Sequence, residues 1–230
     1  MKTPENAKRF MHSKFDASQP QCDETLEPGS RSGLCFGGSF NPIHLGHLQC
    51  ARAAAIHRNF KRVVVIPSAQ PPHKPQTADL AAAADRYAMA RLACEFVSDD
   101  SVTFVPSDIE IARTGPSFTL LTVRELKRFG WPDVWWLIGA DMLNYLPKWY
   151  KIDELIDEVN FLILARPGVE LMWNTLPPNF RERLEPNVVP APLIDVSATQ
   201  IRERVRKGLP IDDLTVPPVV EYIRANGLYR

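Results

Sequence analysis

Residues 33–47 read GLCFGGSFNPIHLGH, a short apolar run followed by two glycines, an Asn-Pro pair and two histidines three positions apart. Glycines let the backbone turn sharply and approach a ligand closely, and the start of a following helix favours a phosphate group. His44 and His47 would lie near one face of the first helical turn, where both imidazoles can donate hydrogen bonds to phosphoryl oxygens. The stretch therefore predicts a phosphate site at a strand end, although a plain turn with His47 as a polar core residue also fits.

Two common nucleotide sites and a metal site do not fit this stretch. No Gly-Lys-Ser/Thr follows the glycines at the spacing of a P-loop, and the dinucleotide-binding GxGxxG pattern is absent. The histidine pair lacks a nearby third metal ligand. The cysteines have no CxxC spacing, so we expect buried reduced thiols rather than a zinc site. They are Cys22, Cys35, Cys50 and Cys94.

Strand-like and helix-like segments alternate from residue 33 onward. Continuous apolar runs predict buried strands, and Ala-rich or amphipathic stretches predict helices between them. Strands are expected at 33–38, 62–67, 101–106, 133–139 and 161–168, and helices at 47–58, 80–96, 117–128 and 151–159. We therefore predict an α/β fold, a doubly wound (Rossmann-like) parallel sheet with helices on both faces in a single domain. Ligands of such sheets bind at the carboxyl ends of the strands.

Length and charge limit the classes of partner. The 230 residues suit one sizeable domain, predicted at 33–230, and the polar residues 1–32 are expected to form a flexible N-terminal extension. Lys+Arg and Asp+Glu both number 27, so no overall field attracts nucleic acid or an anionic membrane. No window approaches the roughly 20 apolar residues that span a bilayer. We expect neither nucleic acid nor a membrane as a partner, and a homo-oligomer stays open.

A second candidate site lies at residues 195–208, DVSATQIRERVRKG. Ser197 and Gln200 fit a helix capping box, which is a purely structural interpretation. The same helix start also offers free N–H groups, two hydroxyls and Arg202, which suit a triphosphate. Both interpretations stay open, because a capped helix start can also bind an anion.

These two motifs resemble those of the nucleotidyltransferase superfamily, whose signatures are a Gly-rich strand end followed by HxGH and a later S-[SA]-T-x-I-R. Further segments are similar to one family, the bacterial nicotinate-nucleotide adenylyltransferases. They are PSAQPPHKP, ARTGPSFTLLTV, IGADML, LPKWY, LARPG and the final YIRANGLYR. The resemblance covers nearly everything from Leu34 to Arg230.

The resemblance implies a cytoplasmic ATP-binding transferase of pyridine nucleotide (NAD) biosynthesis. ATP and nicotinate mononucleotide would give deamido-NAD and pyrophosphate, with Mg²⁺ assisting and held mainly by the substrate phosphates rather than by protein ligands. The residues that would act on the phosphates in catalysis are His44, His47 and Arg202. Those implied to bind ATP are Gly37, Gly38, Ser39, Phe40, Asp141, Ser197 and Thr199. Those implied to bind the mononucleotide are His73, Lys74, Thr119, Trp149, Tyr150 and Arg166, with Trp149 stacking on the pyridine ring.

The sequence departs from the family pattern at two positions. Asn41 stands where bacterial members usually have Asp in GGxFDPxH, and Phe118 where PSYT usually has Tyr. Asn at the first position also occurs in eukaryotic relatives that prefer nicotinamide mononucleotide. The alternatives are a related transferase with another acceptor (pantetheine phosphate, glycerol phosphate or nicotinamide mononucleotide), a binding module without chemistry, and an RNA-binding synthetase-like fragment.

Overall fold

A computed structural model of the chain describes residues 32–72, 79–165 and 171–230. These ranges contain a parallel sheet. Its strands are β1 (Leu34–Gly38), β2 (Arg62–Pro67), β3 (Thr103–Pro106), β4 (Trp135–Gly139), β5 (Asn160–Ala165) and β6 (Val188–Pro190). The α-helices are α1 (Leu45–His57), α2 (Ala83–Val97), α3 (Thr119–Arg128), α4 (Ile152–Glu158), α5 (Pro178–Leu184), α6 (Ala198–Arg206) and α7 (Pro217–Ala225). Short 3₁₀ turns occur at Ala140–Met142, Leu146–Lys148, Trp173–Thr175 and Glu185–Asn187.

The strand order is β3-β2-β1-β4-β5-β6, and every neighbouring pair is parallel. The chain winds outward from β1 to β3 and then returns to place β4 beside β1. At that point the strand order reverses, and connections leave the carboxyl ends of β1 and β4 in opposite directions, which opens a crevice for ligands. Residues 37–47 lead out of β1 on one side of this crevice, and Asp141 follows β4 on the other side.

Helices cover both faces of the sheet. One core cluster joins the sheet to α1, α2, α6 and α7, and a second joins it to α3, α4 and α5. The strands are apolar on both faces because each face packs against helices, as in β2, where Val63 to Pro67 are all buried. These features confirm the predicted doubly wound α/β fold.

The predicted ranges agree with the structure best in the central strands. The strand expected at 62–67 is β2, Arg62–Pro67, while the helix expected at 80–96 begins only at Ala83. Strand β6 and helices α5 and α7 were not predicted. The predicted extension of residues 1–32 lies outside the described residues except for Ser32, so its boundary stays a prediction.

The described cysteines fit the expectation of buried thiols in part. Cys35 and Cys94 are buried, and burial raises the pKa of both thiols, whereas Cys50 is half-buried. Cys22 lies outside the described residues. None of the helices in the described ranges is long and apolar enough to cross a membrane.

Candidate active site

The site begins where β1 and β4 end side by side. Gly37 in β1 packs directly against Trp136 of β4, because a Cβ at position 37 would clash with the indole ring. Any other residue there would push the two strand ends apart. Beyond β4, the exposed carboxylate of Asp141 lies over Gly139, where a Cβ would clash with Oδ1. Both glycines therefore permit close packing at the edge where a nucleotide is expected.

His44 and His47 form a reciprocal cap at the start of α1. The backbone N–H of His47 donates to Nδ1 of His44 at 3.4 Å, and the N–H of His44 donates to Nδ1 of His47 at 3.3 Å. The rings stack with centroids 3.6 Å apart. A neutral imidazole that accepts at Nδ1 carries its proton on Nε2, so the cap fixes both rings as Nε2–H donors. His44 is only 6% exposed, which makes the half-buried His47 the more accessible donor.

The second motif lies directly against the first. Ser197 caps α6 by accepting from the N–H of Gln200 at 3.2 Å, which is one of the two hydrogen bonds of the predicted capping box. A Cβ on Gly46 of α1 would lie 3.3 Å from the carbonyl oxygen of Val196, so the starts of α1 and α6 adjoin. Two helix N-termini at one place concentrate N–H groups and positive dipole ends.

Arg202 joins the two motifs by hydrogen bonds. Its Nη1 donates to the carbonyl oxygen of Asn41 at 2.9 Å, and its Nη2 donates to the hydroxyl of Thr199 at 3.3 Å. Its Nε is buried and has no hydrogen-bond partner among the described residues. The guanidinium therefore brings a positive charge to the junction of the two helix starts.

A buried arginine that the sequence analysis did not identify supports the loop after β1. Arg86 of α2 is 1% exposed and donates to three backbone carbonyls, those of Ser39 at 2.7 Å, Ala69 at 3.1 Å and Ala81 at 2.9 Å. Burial lowers the pKa of its guanidinium, and the nearby Tyr229 and Glu110 oppose that shift. Its burial could have been predicted from the sequence. Residue 86 lies three and four positions before Met89 and Ala90, so all three fall on the same buried face of α2.

The loop residues predicted to surround the adenosine and α-phosphate take different positions. Gly38 ends β1, and Ser39 follows it with its carbonyl bound to Arg86. Phe40 is 1% exposed, with its ring against Phe36 and His47, so only its backbone can face a ligand.

The residues predicted to frame the pyridine ring lie on two neighbouring segments. Thr119 is the first residue of α3, and Phe118 just before it stacks on Tyr150 with ring centroids 4.3 Å apart. This stack joins the TGPSFT turn to the LPKWY segment. Trp149 is half-buried against Phe161, and its Nε1 has no hydrogen-bond partner within the described ranges. Its stacking on a pyridine ring stays a prediction.

A second buried polar group, also missed from the sequence, lies beneath the same turn. Glu110 is 3% exposed, and Thr122 donates to its Oε1 at 2.7 Å, with further hydrogen bonds from Ser117 and Ser68. Burial raises the pKa of this carboxyl in spite of those bonds. Ser117 also pairs with Gln70 through two hydrogen bonds, which holds the loop after β2 against the turn before α3.

Three predicted site residues cannot be placed. His73, Lys74 and Arg166 lie outside the described residues. Within the described ranges, no group of three or more His, Cys, Asp or Glu side chains is arranged to hold a metal ion.

Comparison with known proteins defines the class to which this fold and site belong. The family model described as cytidylyltransferase-like matches residues 35–204, from β1 into α6. Nicotinic acid mononucleotide adenylyltransferase of Plasmodium falciparum, solved in complex with NaAD, is similar with a TM-score of 0.64 and 18% identity, over 85% of this chain and 96% of that one. At that identity the likeness concerns the fold. The chain is an enzyme of the nucleotidyltransferase class.

Sequence relatives define the family within that class. A protein of Roseiflexus castenholzii, named as a probable nicotinate-nucleotide adenylyltransferase, is 38% identical over 203 residues, which are 87% of this chain and 98% of the relative. Nicotinate-nucleotide adenylyltransferase of Bacillus subtilis is 36% identical over 198 residues, which are 85% and 96% of the two chains. The chain belongs to the nicotinate-nucleotide adenylyltransferase family.

Proposed function

We propose that this enzyme transfers the adenylyl group of ATP to nicotinate mononucleotide, giving nicotinate adenine dinucleotide (deamido-NAD) and pyrophosphate. The observation that carries the proposal is the junction of two helix N-termini at the carboxyl end of β1, with Arg202 bonded to the carbonyl of Asn41. Such a junction suits a ligand with several adjacent phosphates, since each helix start can serve a different phosphate. The family relationship supplies the two substrates.

In this reaction a phosphate oxygen of the mononucleotide attacks the α-phosphorus of ATP. The bond from that phosphorus to the oxygen bridging the α- and β-phosphates breaks, and pyrophosphate leaves with the electron pair. The nucleophile is already an anion, so no strong general base is required. The barrier arises from aligning two anions and from charge that grows on the phosphoryl oxygens and the leaving group, which positioning and electrostatics must lower.

The chain's own groups match those needs. His44 and His47 offer Nε2–H donors whose proton position is fixed by the cap, so they contribute hydrogen bonds without rearrangement. Arg202, with the start of α6 at Ser197 and Thr199, would hold the triphosphate tail. The glycines of β1 would admit the α-phosphate close to the backbone, and Asp141 would accept hydrogen bonds from a ribose.

Mg²⁺ is proposed to enter with ATP, bound mainly by phosphate oxygens and water, which is its usual mode in nucleotide enzymes. When bound, it offsets the negative charge of the leaving pyrophosphate. The oxygen-rich phosphates of ATP suit this hard cation better than the imidazoles and guanidinium of the junction.

On the mononucleotide side, Thr119, Trp149 and Tyr150 are proposed to frame the pyridine ring. His73, Lys74 and Arg166 are proposed to surround the mononucleotide phosphate. The stack of Phe118 on Tyr150 supports the first set, because it holds the TGPSFT turn and the LPKWY segment at one place.

The test is pyrophosphate release from ATP with each acceptor in turn. Purified enzyme with Mg²⁺ should release pyrophosphate with nicotinate mononucleotide far faster than with pantetheine phosphate or glycerol phosphate. Product mass should match nicotinate adenine dinucleotide. Release with one of the other two acceptors and none with a pyridine mononucleotide would overturn the proposal.

A further inference from the structure

The side chain of Asn41, in the loop between β1 and α1, connects three separate segments. Its Nδ2 donates to the carbonyl of Asp79 at 2.6 Å. Its Oδ1 accepts from the N–H of Ala81 at 3.0 Å and from the hydroxyl of Tyr229 at 2.8 Å. At 8% exposure this amide faces the protein and not a ligand. An Asp at this position could not make the first of these bonds, because a carboxylate has no donor for the Asp79 carbonyl.

The backbone of the same loop carries the arginine of the second motif. The carbonyl of Asn41 accepts from Nη1 of Arg202 at 2.9 Å. Phe40 just before it has φ of +42°, in the left-handed region that a bulky side chain enters only where its surroundings impose it. The position of Arg202 therefore depends on contacts that hold this strained loop in place.

Tyr229 is the most distant of those contacts in sequence. It follows α7, packs against the first core cluster and has φ of +64°, so its own conformation is also imposed by its surroundings. The charges of Arg202 and Arg86 act on its phenol, and burial nevertheless raises its pKa. The phenol therefore stays protonated at neutral pH and keeps donating to Oδ1 of Asn41.

We propose that Tyr229 is a positioning residue for ATP binding: its hydroxyl holds Asn41, and the carbonyl of Asn41 holds Arg202. The affinity for ATP then depends on a hydroxyl that does not itself touch the nucleotide. This inference rests on the proposed function, in which Arg202 binds the triphosphate tail. Without the hydroxyl, Oδ1 of Asn41 keeps a single donor and the strained loop loses its contact with the segment after α7.

The experiment compares Tyr229→Phe with a matched variant, Tyr222→Phe. Each substitution removes one phenolic hydroxyl from the same part of the chain, and the hydroxyl of Tyr222 instead donates to Asp85 at 2.9 Å on α2. We expect Tyr229→Phe to weaken Mg-ATP binding in calorimetry, and to raise KM for ATP, by roughly three- to tenfold, as the loss of one hydrogen bond predicts. KM for nicotinate mononucleotide should not change. Tyr222→Phe should match wild type in its affinity for Mg-ATP and in its KM for ATP.

The outcomes separate this inference from the proposed function. Wild-type ATP affinity in Tyr229→Phe, or an equal loss in both variants with equal falls in melting temperature, would overturn the positioning role. If wild-type enzyme binds ATP but does not use nicotinate mononucleotide, the proposed acceptor fails and the calorimetric comparison still decides the inference. In an Asn41→Ala background, Tyr229→Phe should weaken ATP binding further by less than about twofold, because both substitutions break the same hydrogen bond. A full additional loss there would contradict the route through Asn41.

Discussion

His47 has two roles in this account, a helix cap and a phosphate donor, and two substitutions separate them. His47→Ala removes the acceptor for the N–H of His44 as well as the Nε2–H donor. His47→Glu keeps an acceptor at the third helical position, where Glu is the usual capping-box residue, and it removes the donor. The cap hydrogen bond is long at 3.3 Å, so its loss should cost about 0.5–1 kcal/mol of unfolding free energy, the lower part of the range for helix caps.

The effect on turnover should be much larger than the effect on stability. A donor whose bond strengthens as charge develops is worth about 3–4 kcal/mol of barrier, which is a loss of roughly 10²- to 10³-fold in kcat. Both variants should show that loss, and His47→Glu should show the greater one because its charge repels phosphate. Urea unfolding should report destabilisation only for His47→Ala.

The matched control is His57→Ala, which removes an exposed imidazole from the last turn of the same helix. Its turnover and unfolding should stay close to wild type. Steady-state kinetics with pyrophosphate detection and urea titrations on all four proteins complete the test. Near-normal turnover in His47→Glu would refute the donor role and leave only the cap.

Two further predictions concern the buried charges that the sequence analysis missed. Arg86→Met should lower the unfolding free energy by about 3 kcal/mol or more, because it leaves three buried carbonyls without a donor. Arg181→Met removes a solvent-exposed ion pair and should change the unfolding free energy far less. Equal losses in urea titrations of the two variants would contradict this reasoning. For Glu110, a folded-state pKa above the unfolded one means that the carboxyl favours the fold at low pH and disfavours it as pH rises through the folded value. Glu110→Gln should therefore gain stability relative to wild type as pH rises above the ordinary glutamate pKa of 4.5. A relative loss over that rise in urea titrations would show that the buried carboxylate is stabilising.

The sequence predicted the parts of the fold that depend on local pattern. The β-branched run of β2 and the Ala-rich helices could be identified because each is long, apolar and bounded by proline or polar residues. Strand β6 has three residues and lies at the sheet edge, too short for any periodicity to appear. Helix α2 begins at Ala83 rather than at residue 80, because backbone groups of Asp79 and Ala81 are bonded to the side chains of Asn41 and Arg86 instead of to helical partners.

The site could be predicted only where a motif carries its chemistry in consecutive residues. The HLGH and SATQIR segments do so. Their adjacency does not follow from the sheet order, because β6, which precedes the second motif, lies three strands from β1. The supports of the site join positions far apart in sequence, such as Tyr229 to Asn41 and Arg86 to Ser39, and such bonds leave no local pattern. Arg86 alone gave a signal, as a charged residue on an otherwise apolar helix face.

The most direct test of the central claim is a comparison of kcat/KM for nicotinate and nicotinamide mononucleotides, with saturating Mg-ATP and pyrophosphate detection. The two acceptors differ only by a carboxylate against a neutral amide on the ring. The family resemblance implies that backbone N–H groups near Thr119 and Tyr150 face the ring substituent. Such a pocket would leave an amide hydrogen unsatisfied, at about 1–3 kcal/mol, which corresponds to roughly ten- to a hundredfold in favour of nicotinate mononucleotide. Equal efficiencies would contradict the nicotinate preference, and no pyrophosphate release with either acceptor would contradict the proposed adenylyl transfer itself.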